Sequence, residues 1–489
     1  MLSIGGLQLL TMVVLLARTK TLALLLGPDQ YGIMAVIDKL LALTAQVASL
    51  SLPFAALRFL PSVWVADRAA FARQMRAMGF AVLALSMAAS ACGIVATAVF
   101  DVRWGDELVA FRWIIAAGFL TVPVLALVPF LQGALAGRLA HRESQTFQLA
   151  HAIAFTASGI IGALLAGLPG IYVAYALFGA LVVIWRARAL QREAGPAPPL
   201  SGARDLLLPR QVWRFSLVMF GVAFLTPYAA LYTHYQVLEH AGASAAGWMQ
   251  AALGIALAVR GILGTGHAVF LTPNVNRGGS PGDRMQWAVA YQRTFCLLAV
   301  VIVPPLLLAV DIAVHLLYSS AFTPAARVVF LFVLVEVVGL LAGTYQALIV
   351  SLDRLAFHVL QNVTAQLLII VVAWWLVPQA GIAGVAAATL AAQAFLYAAT
   401  SLYLRIRFGL RPDARTGALT AYLVAVVIIA GLAGRTGPTL AAGTFLLRAA
   451  LYAGLVAVLP LLTTSDERRR ARTMARNAAG RLGWTITAP

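Results

Sequence analysis

Charge is scarce in this chain. Asp, Glu, Lys and Arg make up 11% of its 489 residues, 62% are hydrophobic, and the mean hydropathy is +0.90. Soluble domains carry roughly 25% charged residues. A single apolar core cannot explain that balance, because such a core needs a polar shell, so a separate soluble domain is excluded. Cysteine is nearly absent. Cys92 and Cys296 both fall inside apolar runs, which excludes a disulfide scaffold or a cysteine-ligated metal centre and leaves two small buried hydrophobes. No G-x-x-x-x-G-K-[ST] phosphate loop occurs, so no ATPase of the chain's own is expected. No long loop with paired carboxylates offers the acid–base groups of a membrane glycosyltransferase. His, Cys, Asp and Glu show no metal-ligand spacing, no cofactor is implied, and the chain reads as a non-enzyme. Lysine is confined to Lys20 and Lys39, so arginine carries nearly all of the net charge of +18. There is no basic stripe with interleaved aromatics, and that charge therefore does not point to nucleic acid.

What the chain has is apolar runs, each near the ~20 residues that cross a ~30 Å hydrocarbon layer. Helices satisfy their own backbone in lipid, so these runs read as transmembrane helices. About fourteen are expected, making an all-α polytopic membrane protein. Early spans fall at 4–26, 32–57 and 113–136, and two more at 146–168 and 171–187 are split by Pro169-Gly170. No small-residue cleavage site follows the first run, so it is expected to stay as a permanent helix. Arginines gather in alternate loops, at Arg68, Arg73 and Arg76, then Arg138 and Arg142, then Arg186, Arg188 and Arg192, and again beyond Arg405. The opposite loops hold little more than Arg103, Arg112 and Arg435. By the positive-inside rule both termini are cytoplasmic, which requires an even number of spans.

The polar stretch 191–212, with its Gly195-Pro196-Ala197-Pro198-Pro199 core, reads as a cytoplasmic linker. It divides the chain into a six-helix lobe at 1–190 and another at 213–408; two extra helices at 409–462 and a basic cytoplasmic tail at 463–489 follow. The lobes carry echoes. Gly27-Pro28-Asp29-Gln30-Tyr31-Gly32-Ile33-Met34 has the spacing of Gly242-Ala243-Ser244-Ala245-Ala246-Gly247-Trp248-Met249, and Arg138-Leu139-Ala140 returns as Arg354-Leu355-Ala356. Pro169-Gly170-Ile171 is echoed by Pro378 with Gly381-Ile382. Six is an even number, so the repeats would be parallel, pseudo-symmetric and arranged around a central cavity.

Ionisable residues at membrane depth are functional candidates because they are costly there. They are Arg18, Lys20, Asp38, Lys39, Arg58, Arg260 and Glu336, five cations against two anions. That excess suggests a hydrated cationic chamber. Second readings stand beside it. Lys20 and Lys39 can snorkel outward, Arg58 can sit at the interface, Asp38 can pair with a neighbouring cation, and Glu336 can neutralise Arg260 or Arg18.

Several segments resemble those of polysaccharide exporters and lipid-linked oligosaccharide flippases, within the multidrug/oligosaccharidyl-lipid/polysaccharide flippase superfamily. Leu25-Leu26-Gly27-Pro28-Asp29-Gln30-Tyr31-Gly32 is similar to the turn between their first two helices, and Leu52-Pro53-Phe54-Ala55-Ala56-Leu57-Arg58-Phe59 to the end of helix 2. Leu316-Leu317-Tyr318-Ser319-Ser320-Ala321-Phe322-Thr323-Pro324-Ala325-Ala326 resembles their segment between helices 9 and 10, and Gly381-Ile382-Ala383-Gly384-Val385-Ala386 their start of helix 12. The resemblance implies two lobes around a cationic cavity in which basic residues of helices 1, 2 and 8 meet the pyrophosphate of a polyprenyl-linked sugar. Arg18, Lys20, Arg58 and Arg260 stand on those helices, with Asp38 and Glu336 as coupling or charge-balancing groups. It further implies the bacterial inner membrane, a lipid-linked anionic glycan and membrane lipids as partners, and a polysaccharide polymerase and glycosyltransferases nearby. Two departures stand out. The stretch 359–378 lacks the sodium-site carboxylate of some peptidoglycan-precursor flippases, and fourteen helices exceed the twelve usual among O-antigen flippases. A peptidoglycan-precursor flippase and a multidrug cation antiporter of the same superfamily remain as alternatives; the antiporter would need cavity carboxylates that helix 1 lacks.

Overall fold

A computed structural model of the chain describes residues 4–98, 106–138, 140–194, 208–276, 280–409, 413–435 and 442–463. The linker core Gly195–Pro199 and the basic tail beyond Thr463 lie outside the described residues. In chain order the helices are α1 (Ile4–Ser49), α2 (Leu52–Ala66), α3 (Arg68–Ala98), α4 (Arg112–Phe119), α5 (Val122–Gly137), α6 (His141–Ala194), α7 (Arg210–Ala241), α8 (Ala243–Gly266) and α9 (Thr272–Asn276). They continue as α10 (Pro281–Leu308), α11 (Val310–Leu317), α12 (Ala326–Ser351), α13 (Leu355–Ala380), α14 (Ile382–Phe408), α15 (Ala414–Ala433), α16 (Ala442–Ala457) and α17 (Leu459–Leu462). No strand occurs among the described residues.

Eleven of the described helices are long and apolar enough to cross a membrane. Two are of double length, Gly6–Ser49 with 44 residues and Arg142–Glu193 with 52, where one crossing needs ~20. Each is broken near its middle and supplies two crossings. The pair Val109–Phe119 and Val122–Ala136, bent by 45°, supplies one more. The described residues thus hold fourteen crossings, the number expected from the sequence.

The breaks are set by glycine and proline. In α1, Gly27 takes φ 68°, a left-handed backbone that glycine adopts without a Cβ penalty. Pro28 then opens the next helical piece, where its missing N–H is one of the groups left unpaired anyway. In α6 the break falls at Ala166 and Gly167, a few residues before the expected Pro169-Gly170 turn. Gly167 makes the turn with φ 63°, and Pro169 lies in the first turn of the second leg. That leg folds back on the first, because the far ends of α6 meet. Arg186 Nη2, in the second leg, donates to Glu143 Oε2 in the first at 2.5 Å. Arg138 pairs with both Glu143 and Glu193.

By packing, the described chain forms two compact units. The first takes in residues up to Gly254, Val314–Val328 and Val359–Ala392; the second takes in Ile255–Ala313, Val329–His358 and the described residues from Gln393 onward. Within the first unit the two echoed segments touch. A Cβ on Gly247 would run into the Pro28 carbonyl, and one on Gly32 into the Ala243 carbonyl. Ser244 donates to Asp29 beside this crossing. Backbone therefore meets backbone, and no side chain fits between. Gly247→Val is expected to lower stability by at least the ~1–3 kcal/mol typical of overpacking, read as a lower unfolding temperature of the detergent-purified protein; unchanged unfolding would mean that the crossing is loose.

The second unit is held by buried polar groups. Gln292 is fully buried; its amide donates to Thr420 Oγ1 at 2.9 Å and Tyr397 Oη at 3.2 Å, and its carbonyl accepts from Tyr345. Two arginines fasten the last helices to α10. Arg293 reaches Asp413 at 3.4 Å and the Leu462 carbonyl at 3.5 Å. Arg448 reaches the Leu308 carbonyl at 2.5 Å and the Gly434 carbonyl at 3.1 Å.

Candidate functional site

Two cavities in the first unit are lined by ionisable residues singled out from the sequence. The smaller, about 140 Å³, is lined by Arg18 and Asp38 of α1, Phe155, Tyr172 and Tyr175 of α6, and Thr121 among others. Arg18 lays its guanidinium over the Phe155 ring, 3.6 Å from the centroid, and its Nε donates to the Phe155 carbonyl at 3.3 Å. Asp38 Oδ1 accepts from Tyr172 Oη at 3.1 Å, and Tyr175 Oη stands 2.8 Å from His151 Nε2. The arginine and the aspartate share this cavity, but each takes its close contacts from α6 and not from the other. A half-buried charge held by a ring face and one carbonyl is only partly satisfied, so Arg18 keeps the capacity to take an anion.

The larger cavity, about 820 Å³, is lined by the second piece of α1 and by α2, α5, α6 and α7. Such a volume suits a substantial ligand group. Its walls are mostly apolar, and Lys39 is the one charged residue among the described lining residues. Gln46, Gln132, Gln148, Ser49, Ser144 and Thr226 add amides and hydroxyls. Two prolines shape it further. Pro129 in α5 and Pro227 in α7 have no N–H for the carbonyl one turn back. Those carbonyls belong to Leu125 and Ala223, and all four residues line the cavity. The wall thus joins one ammonium with amides, hydroxyls and kink carbonyls, a set that can bind an anion and polyhydroxylated groups.

The four cations that the resemblance assigns to phosphate, Arg18, Lys20, Arg58 and Arg260, do not line these cavities together. Arg18 lines the smaller one. Lys20 donates from Nζ to the Leu316 carbonyl at 2.7 Å, near the C-terminal end of α11, and lines neither. Arg58 is exposed and stacks over Phe215 at 4.7 Å, next to the larger cavity's Leu57. In the second unit, Arg260 Nη1 donates to Glu336 Oε2 at 3.1 Å, although its side chain is 58% exposed. Glu336 thus pairs with Arg260. Lys39, which the sequence left between snorkelling and function, is the cation of the larger cavity. Gln46, Gln132 and Gln148 were missed: a glutamine in an apolar span is a weak signal until neighbouring helices place three of them on one hollow.

No protein-family model matches the chain, and no curated protein does. Solved structures share its fold. A structure described as lipid II flippase MurJ in an inward closed conformation aligns with a TM-score of 0.70 at 11% identity, over 93% of this chain and 97% of that one. A MOP superfamily transporter from Pyrococcus furiosus, described as having a binding pocket of reverse polarity, aligns with a TM-score of 0.58 at 13% identity, over 85% and 96%. A multidrug resistance MATE family transporter of the MOP superfamily, in an inward-facing conformation, aligns with a TM-score of 0.54 at 12% identity, over 86% and 96%. At these identities what is shared is architecture: the chain is a multi-pass helical membrane protein with the fold of MOP superfamily transporters.

Proposed function

We propose that this protein is a flippase that carries a polyprenyl-(pyro)phosphate-linked oligosaccharide from the cytoplasmic to the outer leaflet of a bacterial inner membrane, for surface polysaccharide synthesis. The observation that carries this reading is the ~820 Å³ cavity with Lys39 as its one charged described lining residue among amides and hydroxyls. Charge-assisted contacts to phosphate offset part of its lost hydration, while the amides and kink carbonyls suit sugar hydroxyls. The polyprenyl tail stays in lipid. Arg18, Lys20, Arg58 and Arg260 serve in this reading as further phosphate contacts during the cycle. Each is held by a partner that a phosphate can displace: a ring, a carbonyl, a ring, and a carboxylate. Asp38 and Glu336 balance charge or couple an ion. Two lobes, 1–190 and 213–408, alternate access, helices 409–462 stand outside them, and both termini face the cytoplasm beside a polymerase and glycosyltransferases.

The likeness to a lipid II flippase over nearly the whole chain favours a second reading, a peptidoglycan-precursor flippase, which would use the same phosphate chemistry on a different saccharide. A cation antiporter fits less well, because no carboxylate stands among the described residues of the larger cavity. The test is reconstitution in proteoliposomes with polyprenyl-pyrophosphate-linked oligosaccharide, lipid II, or an organic cation. Movement of the oligosaccharide lipid to the far leaflet is expected. Movement of lipid II alone would select the second reading, and movement of the organic cation alone would overturn both.

A further inference from the structure

A separate hollow of about 610 Å³ opens in the first unit among α3, α5 and α6. Its walls are apolar: Phe80, Leu83 and Met87 of α3, Leu127 and Phe130 of α5, and Val183 of α6 are representative. Among its described lining residues two are polar, Arg76 of α3 and Gln191 of α6. Both belong to one end of the helix group. Trp64, in the last turn of α2, lies under the guanidinium of Arg138, and Arg138 pairs with Glu193 at the close of α6. From Arg76 to Met87 the groove follows α3 for eleven residues, a rise of roughly 16 Å. That is about half of a ~30 Å hydrocarbon layer, the depth of one leaflet.

The end that holds Arg76 is basic. Arg73 stands one turn earlier on α3, and Arg188 and Arg192 are exposed on the last turns of α6. Of the described acids nearby, Asp67 stands 4.0 Å from Arg73, and Glu193 pairs with Arg138 and Arg186. We infer that this groove is a binding site for one acidic phospholipid of the leaflet on the basic-loop side, its acyl chain lying along Phe80, Leu83 and Met87 and its phosphate meeting Arg76. Length, apolar wall and charge at one end together select that occupant. A sugar would find few partners along the wall, and a lipid without net charge would gain less from the arginine. The site is independent of the Lys39 cavity and of what that cavity carries.

Native mass spectrometry of the full-length detergent-purified protein tests this, with phosphatidylglycerol and phosphatidylcholine of identical acyl chains as probes. One arginine near an anionic headgroup contributes about 1 kcal/mol, so a preference of about fivefold for phosphatidylglycerol is expected. Arg76→Gln should remove the preference, while Arg188→Gln should leave most of it. Ala180→Phe, which places a ring in the groove, should strip the retained lipid without touching the charge. If Arg76→Gln fails to fold, the Ala180→Phe result decides the matter alone. Equal retention of both lipids by the unaltered protein, or lipid retained undiminished by Ala180→Phe, would overturn the assignment and leave only an ordinary lipid belt.

Discussion

Arg448→Leu is expected to destabilise the second unit by about 3–5 kcal/mol, the scale for removing one partner of a buried ion pair, and to leave little folded protein. Arg448 is 4% exposed in α16. It binds the carbonyl of Leu308, the last residue of α10, and that of Gly434, the C-cap of α15. Carbonyls at helix C-termini lack intrahelical donors and carry the negative end of the helix dipole. Asp311, 3.7 Å away, adds a full negative charge. Leucine would fill much of the volume but remove two donors and the counter-charge of Asp311 at once. The measurement is the unfolding temperature and monodisperse yield in detergent. Adding Asp311→Asn to Arg448→Leu should restore part of the loss, because the uncompensated charge is then gone. A single variant as stable as the unaltered protein would show that the three helix ends hold together without their arginine.

That arginine was not legible in the sequence as a fastener, and the reason is physical. Hydropathy registers how deep a residue lies, not what meets it. Arg293 and Arg448 find their partners mainly in backbone carbonyls and in Asp413, 120 residues from Arg293 in the chain; helix-end carbonyls have no side-chain signature. The same limit governs Arg18, Lys20, Arg58 and Arg260. Their depth could be read, but the direction each side chain takes depends on which helix packs beside it. Phe155 turns Arg18 aside, Phe215 holds Arg58, and Glu336 takes Arg260. The skeleton was far more legible, because it rests on local chemistry. Gly27 and Gly242 take positive φ where the echoed segments place them, and Gly381 does so after Pro378. The apolar runs count out to the observed crossings. The one shifted break, at Ala166 and Gly167 instead of Pro169-Gly170, follows from the same logic: glycine makes the turn and proline starts the next helix.

Lys39→Glu is expected to reduce transport of the lipid-linked glycan by more than about a hundredfold. A phosphate about 4 Å from the ammonium gains about 4 kcal/mol at an effective dielectric constant near 20, and a carboxylate in its place would turn that attraction into repulsion of like size. Even half of the reversal exceeds the ~2.8 kcal/mol of a hundredfold change. No other cation lines the cavity among the described residues to compensate. Lys39→Arg keeps the charge and should keep most of the activity. Lys39→Met keeps the length without the charge and should fall between the two, which separates lost attraction from the repulsion that glutamate adds beside Asp38. The readout is the initial rate at which the glycan reaches the outer leaflet of proteoliposomes, normalised to folded protein. If Lys39→Glu carries the glycan at the unaltered rate, the phosphate is not received in this cavity, and Arg18 beside its own smaller hollow becomes the next residue to reverse.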